Sequence, residues 1–268
     1  MQTDNKGYEI IDAHCHIFPR MIAEKATKSI GDFYDIHMQR MGDASTLLEY
    51  GLKAGVSKFL VCSTATTARQ VRAINDYIAG QCAQHGEFFG LGSLHPEMED
   101  VAGEVDYIRA QGLHGVKLHP DFQRFNIDAP QAYPIYEALG ELPVLIHMGD
   151  ARYDYSAPAR LARVLKDFPK LHVIAAHLGG YHRWKDALEI LPHRSEFLRF
   201  DVSSSLAFIA PDCARRLIHA YGYENCFWGS DFPMWDHTEE LRRFFALDLT
   251  DAQNRAILSE NFKAYFGL

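Results

Sequence analysis

The chain has 268 residues, 47% of them hydrophobic, with 35 acidic against 27 basic side chains and a formal charge of −8. That balance argues against bulk binding to nucleic acid or anionic membranes and favours a small-molecule substrate, while the length suits one barrel domain over 1–268 with 1–7 as a flexible extension. Cys15, Cys62, Cys82, Cys213 and Cys226 form no Cys-x-x-Cys pair, and neither a leader nor an apolar run of about 18 residues is visible, so reduced thiols in the cytoplasm are expected.

The first element is Ile10-Ile11-Asp12-Ala13-His14-Cys15-His16. An apolar run entering His-x-His reads as a strand, and its period of two puts both imidazoles on one face. The connection over 17–42 that follows is long enough to read as a lid or binding loop. Asp43 and Ser45 offer N-caps to a helix around 47–52 that closes at Ala54-Gly55. Strands are then expected at 56–62, 88–94, 115–119, 144–147, 172–177, 197–203 and 226–230. Helices are expected between them at 67–85, 98–110, 132–139, 158–166, 184–191 and 214–221, and beyond them at 239–245, 251–258 and 261–266. Pro96 and Pro120, each after a histidine, mark carboxyl ends of strands, because proline lacks the ladder donor. Eight βα units without an Asn-Gly or Asp-Gly hairpin turn predict an α/β fold, a TIM (β/α)8 barrel with C-terminal helices.

Catalytic side chains of such a barrel stand at the carboxyl ends of its strands. Six of the 14 histidines fall there, His14, His16, His95, His119, His147 and His177, and Asp231 follows the eighth strand. One histidine at a strand end is ordinarily a satisfied polar group, but so many on one rim reward a bound metal or anion. His14, His16, His147 and Asp231 are therefore expected to bind a divalent metal, and imidazole and carboxylate donors suit zinc, manganese or iron without choosing among them. Asp201, Ser203 and Ser205 alternate on the seventh strand and offer a hydrogen bond to His177 or to a ligand residue. Phe208, Trp228, Phe232 and Trp235 are candidates for a pocket wall.

Six motifs carry a resemblance: Asp12-Ala13-His14-Cys15-His16-Ile17-Phe18-Pro19, Gly115-Val116-Lys117-Leu118-His119-Pro120, Pro143-Val144-Leu145-Ile146-His147, Ala176-His177-Leu178-Gly179-Gly180, Gly229-Ser230-Asp231-Phe232-Pro233, and the end from Ser259-Glu260-Asn261 to Phe266-Gly267-Leu268. In that order they resemble the amidohydrolase superfamily, in its amidohydrolase-2 branch with the aminocarboxymuconate semialdehyde decarboxylase-like enzymes. The resemblance implies a distorted barrel, one metal on His14, His16, His147 and Asp231, and His177 as acid/base. It leads to a metal-dependent hydrolase of a small, anionic lactone, amide or ester. Asp231 would take the proton of a metal-activated water, and His177 would serve the oxyanion or the leaving group.

The alternative is non-oxidative decarboxylation of a small aromatic or unsaturated acid, with His177 protonating carbon and Arg20, Arg69 or Arg152 orienting the carboxylate. A third reading adds a second metal through a carboxylated Lys117, with His177 as a ligand; a fourth is a barrel that binds without turnover. His95 and His119 stand as further metal or substrate contacts, and homo-oligomerisation stays open.

Overall fold

β1 (Ile10–His16) and β2 (Val56–Cys62) run parallel, and β3 (Phe88–Gly90) joins β2 on its other side. β4 (Gly92–Ser93), β5 (Val116–Leu118), β6 (Val144–Ile146), β7 (Val173–Ala175), β8 (Leu198–Asp201) and β9 (Cys226–Phe227) then pair in chain order, all parallel. The computed structural model describes residues 7–268, so the expected extension at 1–7 lies, apart from Gly7, outside the described residues. The circle closes beyond β9, where Ala13 N donates to Trp228 O at 2.9 Å, Asp231 N to His14 O at 2.8 Å and His16 N to Phe232 O at 2.6 Å.

Parallel neighbours need crossovers. These carry α1 (Arg20–Tyr34), α2 (Ala44–Lys53), α3 (Val71–Gln84), α4 (Val101–Ala110), α5 (Pro120–Gln123), α6 (Tyr133–Leu139), α7 (Pro158–Asp167), α8 (Trp184–Ile190) and α9 (Pro211–Tyr221). After β9 come α10 (His237–Phe245), α11 (Asp251–Arg255), a π-helical turn over Ala256–Glu260 and α12 (Asn261–Phe266). The architecture is the expected α/β one, a distorted TIM barrel with C-terminal helices. Among the described residues, no helix is long and apolar enough to cross a membrane.

Two local features depart from the expectation. The strand expected over 88–94 breaks at Leu91: Leu91 N still bonds Val61 O, whereas Gly92 N bonds Gly115 O, both at 2.9 Å, so one strand changes neighbours midway. Gly92 permits this because a Cβ there would stand 2.8 Å from Ile108 of α4. The expected loop over 17–42 contains a 15-residue helix, α1. Its buried seam is Ala23, Thr27 and Gly31, one small residue per turn, so it carries little of the apolar stripe that announces a helix. The Asp43 cap is as expected, its carboxylate accepting from Thr46 N at 3.0 Å.

The main apolar layer lies between strands and helices. A second cluster includes Ile11, Ala13, Leu145, Ile174 and Phe227, with Phe262 from α12 packed among them. The β1–β2 register shifts between Asp12 and Cys15, a bulge of the kind that re-aims side chains beside active sites.

Glu240 on α10 is fully buried; one oxygen accepts from Arg243 and the other has no hydrogen-bond partner among the described residues. Burial outweighs Arg243 and pushes its carboxyl up to about 7. A folded-state value above the unfolded one means a contribution present at low pH and lost as pH rises through about 7. Glu240→Gln is expected to raise the thermal midpoint at pH 8.5 by roughly 5 °C, about 2 kcal/mol, with the gain shrinking towards zero near pH 4.5. Arg243 keeps Glu239 at 3.1 Å in that variant. A gain independent of pH in thermal melts would contradict this account.

Candidate active site

β1 delivers His14 and His16, and the loop after β9 delivers Asp231. His14 Nε2 lies 3.2 Å from His16 Nε2, and Asp231 Oδ1 lies 3.5 Å from the first and 3.3 Å from the second. The protonation of His14 is set by its surroundings: Nδ1 faces Asp201 Oδ2 at 3.1 Å and the Ser203 hydroxyl at 3.0 Å. The Ser203 hydroxyl donates to Asp201, so His14 Nδ1 must be the donor and Nε2 carries a lone pair. Two imidazole nitrogens and a carboxylate oxygen thus converge, an arrangement that calls for a cation between them. Donors about 2.0–2.1 Å from a common tetrahedral centre stand about 3.3–3.4 Å apart, so the three spacings fit a divalent metal.

The charges agree. Burial alone would raise the Asp231 carboxyl, but His14, His16 and His177 hold it well below the usual carboxylate range. Burial, then Lys117, lowers His14, against Asp201 and Asp231. His16 is raised to about 9 against its burial, by Cys62 and Asp231.

His147 meets this group through His177, whose Nε2 lies 2.9 Å from His147 Nδ1. His147 Nε2 donates to Gly149 O at 3.0 Å and lies 3.3 Å from Asp121, leaving Nδ1 as its free lone pair. His177 Nδ1 donates to Ser203 O at 3.0 Å, and its backbone N–H donates to Asp201 at 3.1 Å. Burial lowers His177 to about 4, opposed by Asp231 and Asp201. Of the three serine-loop residues singled out in the sequence, Asp201 and Ser203 make the offered contacts, while the Ser205 hydroxyl turns back to Ser203 O.

The remaining candidates divide. Lys117 is fully buried with Nζ 3.0 Å from His14 Nε2, and burial lowers its ammonium despite Cys62, Asp231 and Asp201. His119 stacks on His147 with centroids 4.0 Å apart and receives the Tyr34 hydroxyl at 2.9 Å. His95 is turned instead to its own loop, accepting from Glu97 N at 3.2 Å. Arg20 lines a separate groove beside α2, and Arg69 is exposed. Arg152 grips Asp150 with two nitrogens, at 3.0 and 2.8 Å, and reaches Phe33 O at 2.5 Å.

A cavity of about 970 Å³ opens onto His16, His147 and Asp231. α1 roofs it with Ile22, Ala26, Ile30, Phe33 and Tyr34. Its other aromatic walls are Phe18, Tyr77, Phe122, Tyr153 and Tyr155, not the Phe208, Trp228, Phe232 and Trp235 expected from the sequence, which pack outside it. Burial and Asp150, against Arg152, raise Asp121 in the wall to about 7. Tyr34 lies in the connection read from the sequence as a lid or binding loop, whereas Asp121 and Arg124 were not singled out there; the spacing of Ile22, Ala26, Ile30 and Phe33 was the available signal for the helix that carries Tyr34.

Three solved structures resemble the chain in fold. The 5-carboxyvanillate decarboxylase of Sphingomonas paucimobilis has a TM-score of 0.76 at 16% identity, over 98% of this chain and 100% of that one. A putative 2-pyrone-4,6-dicarboxylic acid hydrolase from Pseudomonas putida scores 0.71 at 20% identity, over 97% and 98%. A dihydroxybenzoic acid decarboxylase from Polaromonas sp. JS666, with bound manganese and the inhibitor 2-nitroresorcinol, scores 0.74 at 14% identity, over 97% of each. No curated protein sequence matches the chain. The family model described as amidohydrolase matches residues 11–268, from the first residues of β1 to the chain's end, and the protein accordingly belongs to the amidohydrolase family.

Proposed function

We propose that the protein is a divalent-metal-dependent, non-oxidative decarboxylase of a small aromatic or unsaturated acid. The observation that carries this reading is the cavity, whose aromatic walls and helical roof suit a flat ring and keep water from the centre at its floor. The two similar structures named as decarboxylases of aromatic acids support it. Hydrolysis of a lactone-like bond is the second reading, favoured by the similar structure named as a putative hydrolase.

His14, His16, His147 and Asp231 would hold the metal, with manganese as good a candidate as zinc. When bound, the metal polarises an oxygen of the substrate. The bond from ring carbon to carboxylate breaks, its electron pair stays on carbon, and His177 gives that carbon a proton as carbon dioxide leaves. Burial lowers His177 to about 4, so the resting ring is neutral with Nδ1 committed to Ser203 O, and the proton it passes on is one taken up at Nε2 as the acid binds. Ser203 and Asp201 hold the ring for this transfer through the side chain and backbone of His177.

Arg124 lines the cavity and has no ion pair among the described residues, which suits it to the substrate's carboxylate. Arg124→Ala is expected to raise KM by about 10–100-fold with kcat within a few fold, the signature of lost uniform binding. Steady-state kinetics checks it; a fall in kcat alone would remove Arg124 from this role. The reading as a whole is tested by following carbon dioxide release over a panel of aromatic and unsaturated acids, before and after chelation. Release that stops with chelator and returns with manganese or zinc is expected. Lactone hydrolysis with no release across the panel would transfer the assignment to the hydrolase.

A further inference from the structure

We propose that Ser204 and Trp235 act as a pair of positioning residues that hold the Asp231 carboxylate so that it turns a single oxygen to the metal, a reading that rests on the metal centre proposed above. Oδ1 of Asp231 is the oxygen near His14 and His16. Oδ2 receives the Ser204 hydroxyl at 2.6 Å. A serine hydroxyl has one hydrogen and can rotate, so this bond alone would not hold the carboxylate. The Trp235 indole N–H donates to the same Ser204 oxygen at 2.8 Å. An indole nitrogen is a donor only, so the serine oxygen must accept there and its own hydrogen stays on Asp231.

The backbone supports a purpose for this serine. Ser204 (φ 49°) and Asp231 (φ 60°) both lie in the left-handed region that favours glycine. Glycine would fill the Ser204 position at lower backbone cost; the side chain is what a glycine lacks. Ser204 is 1% exposed, and its neighbour Ser203 turns the other way, to His14 and His177. The loop after β8 thus orients an imidazole with one serine and the carboxylate with the next. Trp235 is set from outside: its ring meets Phe208 edge-on at 5.7 Å and lies under the Arg243 guanidinium at 5.0 Å. It does not line the cavity, so substrate contact does not account for it. With Oδ2 held, Asp231 offers the metal one oxygen and keeps it there.

The test uses cobalt(II) alone as the probe, titrated into chelator-stripped protein against a competing chelator, with the visible absorption of the bound ion recorded. Ser204→Gly is expected to weaken cobalt binding about 10–100-fold and to shift the visible bands, as loss of a hydrogen bond that orients a ligand does. Trp235→Phe keeps a ring but loses the N–H, and should weaken binding by a smaller factor of about 3–10. The metal-free Ser204→Gly protein should melt within a few degrees of the parent, because relief of the left-handed backbone offsets part of the two lost hydrogen bonds. Parent-like affinity and spectrum in both variants would overturn the proposal, as would a metal-free Ser204→Gly protein that melts well below the parent while Trp235→Phe binds normally. A parent protein that takes up no cobalt would instead remove the metal centre itself, and this inference with it.

Discussion

Asp231→Ala is expected to strip the protein of metal and to lower turnover by at least about 10³-fold, the equivalent of the several kcal/mol a Lewis acid contributes to charge stabilisation. Of the three converging donors, Asp231 alone brings a full negative charge. Without it, His14 Nε2 and His16 Nε2 face each other at 3.2 Å with no anionic donor between them for a divalent cation. Asp231→Asn separates charge from shape, since it keeps an oxygen near the imidazoles and loses only the anion. It should fold like the parent and still fail to retain metal through gel filtration. His14→Ala should behave as Asp231→Ala does. Elemental analysis alongside turnover on the same preparation decides the matter, and a variant with a full complement of metal and full rate would refute the ligand assignment.

Asp201→Ala should cost about 3–5 kcal/mol of stability, a drop of roughly 10 °C in thermal midpoint for a chain of this length. Asp201 is fully buried and accepts from His14 Nδ1, the backbone N–H groups of His177 and Ser203, and the Ser203 hydroxyl. Alanine would leave the two backbone N–H groups and the Ser203 hydroxyl without this acceptor, and His14 Nδ1 with the Ser203 oxygen alone. Burial would raise the Asp201 carboxyl, but His14 and His177 outweigh it and lower it. A depressed carboxyl contributes fully above its unfolded value and loses the contribution as pH falls through the folded one, so the deficit should persist unchanged from pH 8 to pH 5. Asp201→Asn should be milder in melting, because an amide oxygen still serves the backbone donors. It should bind metal about 10–100-fold more weakly, because an amide NH₂ facing His14 Nδ1 favours the wrong tautomer. Equal melting of the alanine variant and the parent would show that the rim does not depend on Asp201.

Elements were legible where the pattern of side chains was itself the structure. His-x-His after Ile10-Ile11 could only put two imidazoles together, and Pro120 after His119 marked a strand end that the structure keeps as the first residue of α5. α1 was hidden because its apolar residues, Ile22, Ala26, Ile30 and Phe33, face a cavity and its buried seam is small, so length argued for a loop. The break at Leu91 left a trace in Gly90-Leu91-Gly92, since alternate glycines in a buried strand signal close neighbours. The arginines were not legible. Arg20, Arg69, Arg124 and Arg152 all follow strands, and only the path of each loop separates a cavity residue from one paired with Asp150. Ser204 was passed over because strict alternation pointed to Ser203 and Ser205, and the loop had already left the strand.

α1 buries only Ala23, Thr27 and Gly31, meets the barrel rim at its end, where the Tyr34 hydroxyl reaches His119 at 2.9 Å, and provides much of the ceiling above the proposed metal centre. Its other tethers are few and peripheral, such as the Gly42 N–H on the Thr27 hydroxyl at 2.9 Å and the Arg152 grip on Phe33 O. Chemistry and selectivity are therefore written in separate stretches of the chain. A descendant could exchange residues 20–33 for another helix with the same Ala-Thr-Gly spacing, keep Tyr34 on His119, and so change what it accepts while leaving the reaction, and the barrel that folds around it, untouched.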